Sequence, residues 1–181
     1  MGVSLMQSNA AGWGAHLVVP GTGIFLQNRG IGFSLSPGHP AELAPGRRPP
    51  HTLAPALVTD GRTLLAVLGT QGGDLQPQVV LQLLARILRN RQTPGDAVYA
   101  PRWSLGDGGF STWDGDGPQV TMLERAAPSS WELGLVQRGH RVVRAQPGAN
   151  FGHAQLILVR GDGQLAGASD PRAITGAAIG W

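Results

Sequence analysis

Residues 64–77, LLAVLGTQGGDLQP, decide how this chain is read. An apolar run of strand character ends in a Gly-Gly pair that opens directly onto an amphipathic helix. The first N–H groups of a helix have no partner inside it and sit at the positive end of its dipole. Such a turn therefore suits negative charge, including the charge that develops on a carbonyl oxygen during acyl transfer. The plainer reading of Gly72-Gly73 is conformational, since paired glycines permit positive φ and close packing. A phosphate loop fits poorly, because GTQGGD lacks the Lys-Ser/Thr continuation.

Working outward, apolar runs at 53–58 and 63–68 flank Thr59-Asp60-Gly61-Arg62, and Asp-Gly between two such runs signals a hairpin. After the glycines, Val80, Leu83, Leu84, Ile87 and Leu88 recur at helical spacing. Asp74 is the expected N-cap, with Pro77 tolerated in the first turn. A short helix is expected at 94–100, capped by Thr93 and closed by Pro101. Ser129-Ser130-Trp131-Glu132 reads as a capping box for a helix ending near Gly139. Strands are expected at 3–8, 24–27 and 141–145, and a last hairpin joins 153–160 to 164–168 through Gly161-Asp162-Gly163. Residues 30–50 read as an ordered loop, and 107–118 as a polar, glycine-laden one. The mixture is α+β, one domain across 1–181, in a layered arrangement with helices outside.

Composition narrows the classes. The chain has 181 residues, 28 of them glycine and 14 proline, which favours short strands and many turns over a helical bundle. It has no cysteine, so thiolate metal sites, disulfides and a cysteine nucleophile are excluded, and the compartment is left undetermined. All 14 basic residues are arginine, and the net charge of +3 is too small for a dense positive field. Arg86, Arg89 and Arg91 cluster at one helix end, where they complement the dipole. No aromatic platform accompanies them, so nucleic acid is not an expected partner. No apolar run is long enough to span a bilayer. The scattered histidines show no ligand spacing, so neither a metal nor a cofactor is expected.

Three further polar groups have a plain and a functional reading. Gln7-Ser8-Asn9, at a strand end, are turn or cap residues, or Asn9 anchors a substrate through its amide beside a nucleophile. Arg47-Arg48-Pro49-Pro50-His51-Thr52 is a basic loop entering a strand, or His51 and Thr52 touch a polar substrate end at the mouth of a cleft. His51 has no acidic partner in sequence, which argues against a triad. In Gly167–Arg172, Asp-Pro starts a turn, and an Asp170–Arg172 interaction would fix the chain's end.

Taken in order, QSN (7–9), PGTGIFLQNRGIGFSL (20–35), LAPGRRPPHTLAPALV (43–58), the Gly72-Gly73 turn, DAVYAPRW (96–103) and GASDPR (167–172) resemble the small-subunit part of the gamma-glutamyltransferase family. The resemblance covers essentially the whole chain and implies the αββα sandwich of an N-terminal nucleophile hydrolase, present here in part. It further implies a precursor cut to expose a threonine, which attacks a γ-glutamyl amide, forms an acyl-enzyme and passes the acyl group to water or an amine, with its own α-amino group as base. By position, Gly72 and Gly73 match the oxyanion-hole glycines and Asn9 the asparagine near the nucleophile. Gln7 falls where a hydroxyl residue often supports the threonine. Arg29 stands at the glutamine of an Asn-Gln segment, and His51 and Thr52 at a Ser-Ser pair that holds a substrate carboxylate.

The chain also departs from that pattern. Gly32 replaces an aspartate that grips the substrate's α-ammonium group, so a different acyl amide becomes plausible. The stretch between Phe33 and Arg47 is too short for the lid loop of many members. The nucleophile's segment is expected before Met1, so residues 1–181 alone are expected to be inactive and to need a large subunit or an N-terminal region. The competing expectation is a non-catalytic subunit that docks on a larger one.

Overall fold

The elements are, in chain order, β1 (Ala56–Asp60), β2 (Thr63–Gln71), α1 (Gln76–Leu84), α2 (Pro94–Tyr99), β3 (Trp103–Leu105), β4 (Val120–Leu123), α3 (Ser129–Gln137), β5 (Arg141–Arg144), β6 (His153–Val159) and β7 (Leu165–Ser169). The structure, a computed structural model, describes residues 1–106 and 119–180, so the loop expected at 107–118 lies outside the described residues.

β2 organises the molecule. It pairs antiparallel with β1 and β6, and β7 completes a four-stranded sheet in the order β1-β2-β6-β7. The β1–β2 turn is Gly61-Arg62, between the paired Asp60 and Thr63, with Gly61 at φ 55° and a bulge between Val58 and Thr59. Along β2 the side chains alternate: Ala66, Leu68 and Thr70 are buried on one face. With Ala154 and Leu156 of β6 they pack against Val79 and Leu83 of α1, Ile87, and Ala97 and Val98 of α2. Burying an aliphatic side chain of this size contributes about 1.5–3 kcal/mol, so this contact dominates the core. α1 runs on into a π-helical turn at Ala85–Arg89, where Asn90 N–H donates to Ala85 at 3.1 Å.

A three-stranded sheet, β3-β4-β5, lies beside α1. β4 and β5 are parallel, with α3 as the crossover between them. Gln78 and Gln82, four residues apart on α1, fasten this sheet by bonding to the β3 backbone. The Gln82 carboxamide takes both Trp103 groups at 2.9 and 3.1 Å, and Gln78 Oε1 accepts from Leu105 N–H at 2.7 Å.

Several expectations change. Residues 3–8 alternate in burial but join no ladder; they run extended across the sheet, held by Ser4 Oγ donating to the Leu68 carbonyl at 2.9 Å. Residues 24–27 give one isolated bridge, Val18–Phe25, instead of a strand. Asp74 does not cap α1, because Gly73–Leu75 forms a 3-10 turn first and Leu75 occupies the cap position. The capping box at 129–132 does not form: Pro128 is the N-cap, and Glu132 turns to Arg144 at 2.9 Å. Arg86 is half-buried, donating to the Pro101 carbonyl at 2.8 Å and lying 5.8 Å from the Trp131 ring centroid. The cap at Thr93 is present, accepting from Asp96 N–H at 3.1 Å.

Helices cover one face of the four-stranded sheet. Its other face leaves Leu57, Ile157 and Leu165 exposed by 52%, 41% and 69%. No described helix is long and apolar enough to cross a membrane.

Candidate active site

At the end of β2 the backbone leaves the conformations open to most residues. Gly72 has φ 146° and Gly73 φ 55°, values that glycine adopts without steric cost. A second reason for glycine is crowding: a Cβ on Gly72 would lie 3.3 Å from Gly152 Cα. Gly152 is itself constrained, because its Cβ would sit 2.6 Å from Thr70 Oγ1 and 2.8 Å from the Gln71 carbonyl oxygen. The 150–152 loop thus presses directly on the turn that carries Gly72 and Gly73.

That loop is held by a buried ion cluster. Arg102, 1% exposed, donates to the Phe151 and Gly152 carbonyls at 2.7 and 3.2 Å and pairs with Asp170 at 2.5 Å. Asp170 also accepts from Ala154 N–H at 2.9 Å and pairs with Arg172 at 2.9 Å. Arg172 in turn bridges to Glu124 through two bonds, 2.7 and 2.6 Å. Burial would raise the Asp170 carboxyl, but the Ala154 N–H and the Arg102 charge outweigh it and hold it below the usual carboxylate range. The cluster welds β6, β7 and the end of α2 to the site's rear wall.

In front of the turn lies a cavity of about 860 Å³, between the open sheet face and the extended N-terminal segment. Gly72, Gly73, Gln7, Asn9 and Thr52 line it. Asn28 clamps the N-terminal segment, donating to the Asn9 carbonyl at 3.0 Å and bonding both backbone groups of Ala11 at 2.9 and 3.1 Å. Arg29 lies one layer back: 7% exposed, it donates through Nη1 to Thr52 Oγ1 at 2.9 Å. His51 is not on the wall; its exposed ring turns back to accept from Leu53 N–H at 3.2 Å. The structure therefore brings together five of the seven residues singled out, with Arg29 adjacent and His51 outside.

Residue patterns had not pointed to Gln71, Gln76, Asn150, His153 and Gln155, which also face the cavity. The alternation of β6 after His153 carried a signal, since it sets His153 and Gln155 opposite the buried Ala154 and Leu156. Gln76 is fixed by accepting from Ala54 N–H at 2.9 Å. The wall is thus rich in amides, and His153 is the one histidine among its described residues. Among the described residues no group of His, Asp and Glu is placed to share a metal ion. The Gly72-Gly73 turn thus lines a roomy cavity together with several amide side chains, and backbone N–H groups that face such a cavity can hold a polarised carbonyl.

Comparison with known proteins gives consistent results. The family profile described as gamma-glutamyltranspeptidase matches residues 1–180. The chain is 40% identical to the oxamate amidohydrolase proenzyme of Klebsiella pneumoniae subsp. pneumoniae, over all of this chain and 33% of that protein. Among solved structures, the cephalosporin acylase of Bacillus halodurans is 35% identical, with a TM-score of 0.78 over 92% of this chain and 30% of that one. A gamma-glutamyltranspeptidase from Pseudomonas nitroreducens, complexed with L-DON, is 26% identical, with a TM-score of 0.74 over 99% of this chain and 92% of that one. The chain spans about a third of the length of the curated relatives it matches.

Proposed function

The chain belongs to the gamma-glutamyltranspeptidase family, with a fold that matches N-terminal nucleophile hydrolases, and on that premise we propose that it carries the oxyanion hole and acyl-binding wall of an amidohydrolase or acyltransferase. The complete enzyme hydrolyses or transfers the acyl group of a γ-glutamyl or related amide. Its nucleophile, a threonine hydroxyl freed by precursor cleavage, comes from the part of the proenzyme outside residues 1–181. The relatives named as proenzymes, about three times as long, support this. Of the hydroxyls on the cavity wall, Ser4 and Thr70 donate to the Leu68 and Gln71 carbonyls, while Ser8 and Thr52 accept from Ala10 N–H and Arg29.

In this mechanism the hydroxyl adds to the amide carbon and the carbonyl oxygen becomes an oxyanion beside Gly72 and Gly73. Their N–H groups stabilise it without having to reorganise. The amine leaves with a proton, an ester links acyl group and threonine, and water or an amine then releases the acyl group. Asn9 and Gln7 orient the acyl chain, and Thr52 holds its polar end.

The observation that carries this reading is the pair of positive-φ glycines at the edge of the cavity, where β2 passes into α1. The test is hydrolysis by the complete gene product of three amides: oxamate, a γ-glutamyl anilide and a cephalosporin-type acyl amide. Gly73→Val, strained at φ 55°, should lower kcat by about 100-fold or more, the usual effect of losing an oxyanion donor. Unchanged turnover in that variant would remove Gly73 from the mechanism.

A further inference from the structure

A second cavity, of about 470 Å³, opens between α1 and α3 and shares no described lining residue with the first. Its size falls within the roughly 300–1,000 Å³ of small-molecule sites. The π-helical turn after α1 and the residue that ends it set Ala85, Arg86 and Asn90 on one wall, and such turns are frequent at functional sites. Two half-buried indoles, Trp103 of β3 and Trp131 of α3, also line it. The Arg86 guanidinium lies 5.8 Å from the Trp131 ring centroid, so a cation rests against an aromatic face. That cation has no partner of opposite sign. The ion pairs among the described residues all involve other arginines, and Arg86's one hydrogen bond among them runs from Nη2 to the Pro101 carbonyl. Burial, with the Arg172 charge behind it, holds the Arg86 guanidinium below the ordinary arginine range. Arg138, exposed on α3, adds a second positive charge, and no aspartate or glutamate is among the described lining residues. Glu132, the acid on α3, is engaged with Arg144 at 2.9 Å.

An anion entering this cavity meets two cations, whereas an ammonium group meets only like charge. A guanidinium fork matches a carboxylate, and indole faces favour a flat aromatic ring. We propose that the cavity is a second ligand site, and that it takes an aromatic carboxylate. The ring packs against Trp103 and Trp131, and the carboxylate accepts from Arg86 with the Arg138 charge beside it. The site stands apart from the amide chemistry proposed above and does not depend on it.

The test is titration calorimetry of the complete gene product with three probes. The first is 2-naphthoate; 2-naphthylmethanol keeps its ring without the charge, and cyclohexanecarboxylate keeps the charge without the aromatic face. The naphthoate should bind more tightly than the alcohol by about tenfold or more, the scale of a hydrogen bond to a charged group. It should bind more tightly than the cyclohexane acid by about threefold or more, the scale of an aromatic contact. Arg86→Met, which keeps the apolar stem, should raise the naphthoate Kd about tenfold or more and leave the Kd of the alcohol unchanged. Should Arg86→Met fail to fold, because Arg86 also holds the Pro101 carbonyl, Trp131→Leu on the outer helix is read instead, with a rise of about threefold or more. No saturable binding of 2-naphthoate by the wild type, an alcohol that binds as tightly as the acid, or a naphthoate Kd unchanged in either folded variant overturns the site.

Discussion

At Gly152 a single methyl group separates a working turn from a distorted one. Its Cβ would approach Thr70 Oγ1 to 2.6 Å, at a φ of 77° that side chains rarely adopt. Gly152→Ala should therefore destabilise the protein by about 1–3 kcal/mol in urea unfolding, and should lower kcat because the strain passes straight to Gly72. Behind it, Asp170→Asn would leave the buried Arg102 guanidinium without its charge partner and Arg172 with Glu124 alone, at a cost of about 3–5 kcal/mol at neutral pH. The sign of its pH dependence is fixed. Asp170 titrates lower in the folded chain than the roughly 3.9 of an unfolded aspartate, so the unfolded state binds more protons in acid. The stabilisation is complete above about pH 4 and is lost as pH falls through the folded value. Urea melts of wild type and Asp170→Asn should thus differ most near neutrality and converge in acid; a gap that widens in acid would contradict this.

Helix α1 shows what periodicity can and cannot disclose. Its spacing identified part of the core face: Leu83 and Ile87 are buried, at 1% and 5%, but Leu88 is 42% exposed and Gln82, expected opposite, is buried; Leu81, on the same helix, is 58% exposed. Leu83→Ala should cost about 2–5 kcal/mol and Leu81→Ala within about 0.5 kcal/mol, measured side by side by thermal and urea unfolding. The hairpin β1–β2 and the pair β6–β7 were legible for the same reason: alternation bounded by Asp-Gly turns is a local signal. The start of α1 was not, because Asp74 looks like a cap in one dimension, while the positive φ of Gly73 inserts a 3-10 turn ahead of the helix. β3 and β4 are three and four residues long, too short for alternation to register, and they depend on Gln78 and Gln82 of α1. In the site, Gly72, Gly73, Asn9 and Thr52 stood out as motif residues. Gln76 and Asn150 did not, because nothing near them in sequence indicates that the chain folds them over the same cavity. Arg29 came from family resemblance alone, and its bond to Thr52 is visible only in three dimensions.

On the scale of the whole molecule, the four-stranded sheet has helices on one side and an apolar face on the other, with Leu57, Ile157 and Leu165 in contact with solvent. Such a face drives association. Residues 1–181 expressed alone should sediment as oligomers, and Ile157→Glu should shift them toward monomer while impairing assembly of the complete gene product; a monodisperse monomer of the unaltered chain would contradict this. The cavity lies on that same face, so the site and the surface that needs covering are one region of the fold. The decisive measurement is a crystal structure of the complete enzyme trapped as its acyl-enzyme. The acyl carbonyl oxygen should accept hydrogen bonds from the Gly72 and Gly73 N–H groups at about 2.7–3.1 Å. An acyl oxygen held elsewhere, with those N–H groups directed away from the cavity, would contradict the account.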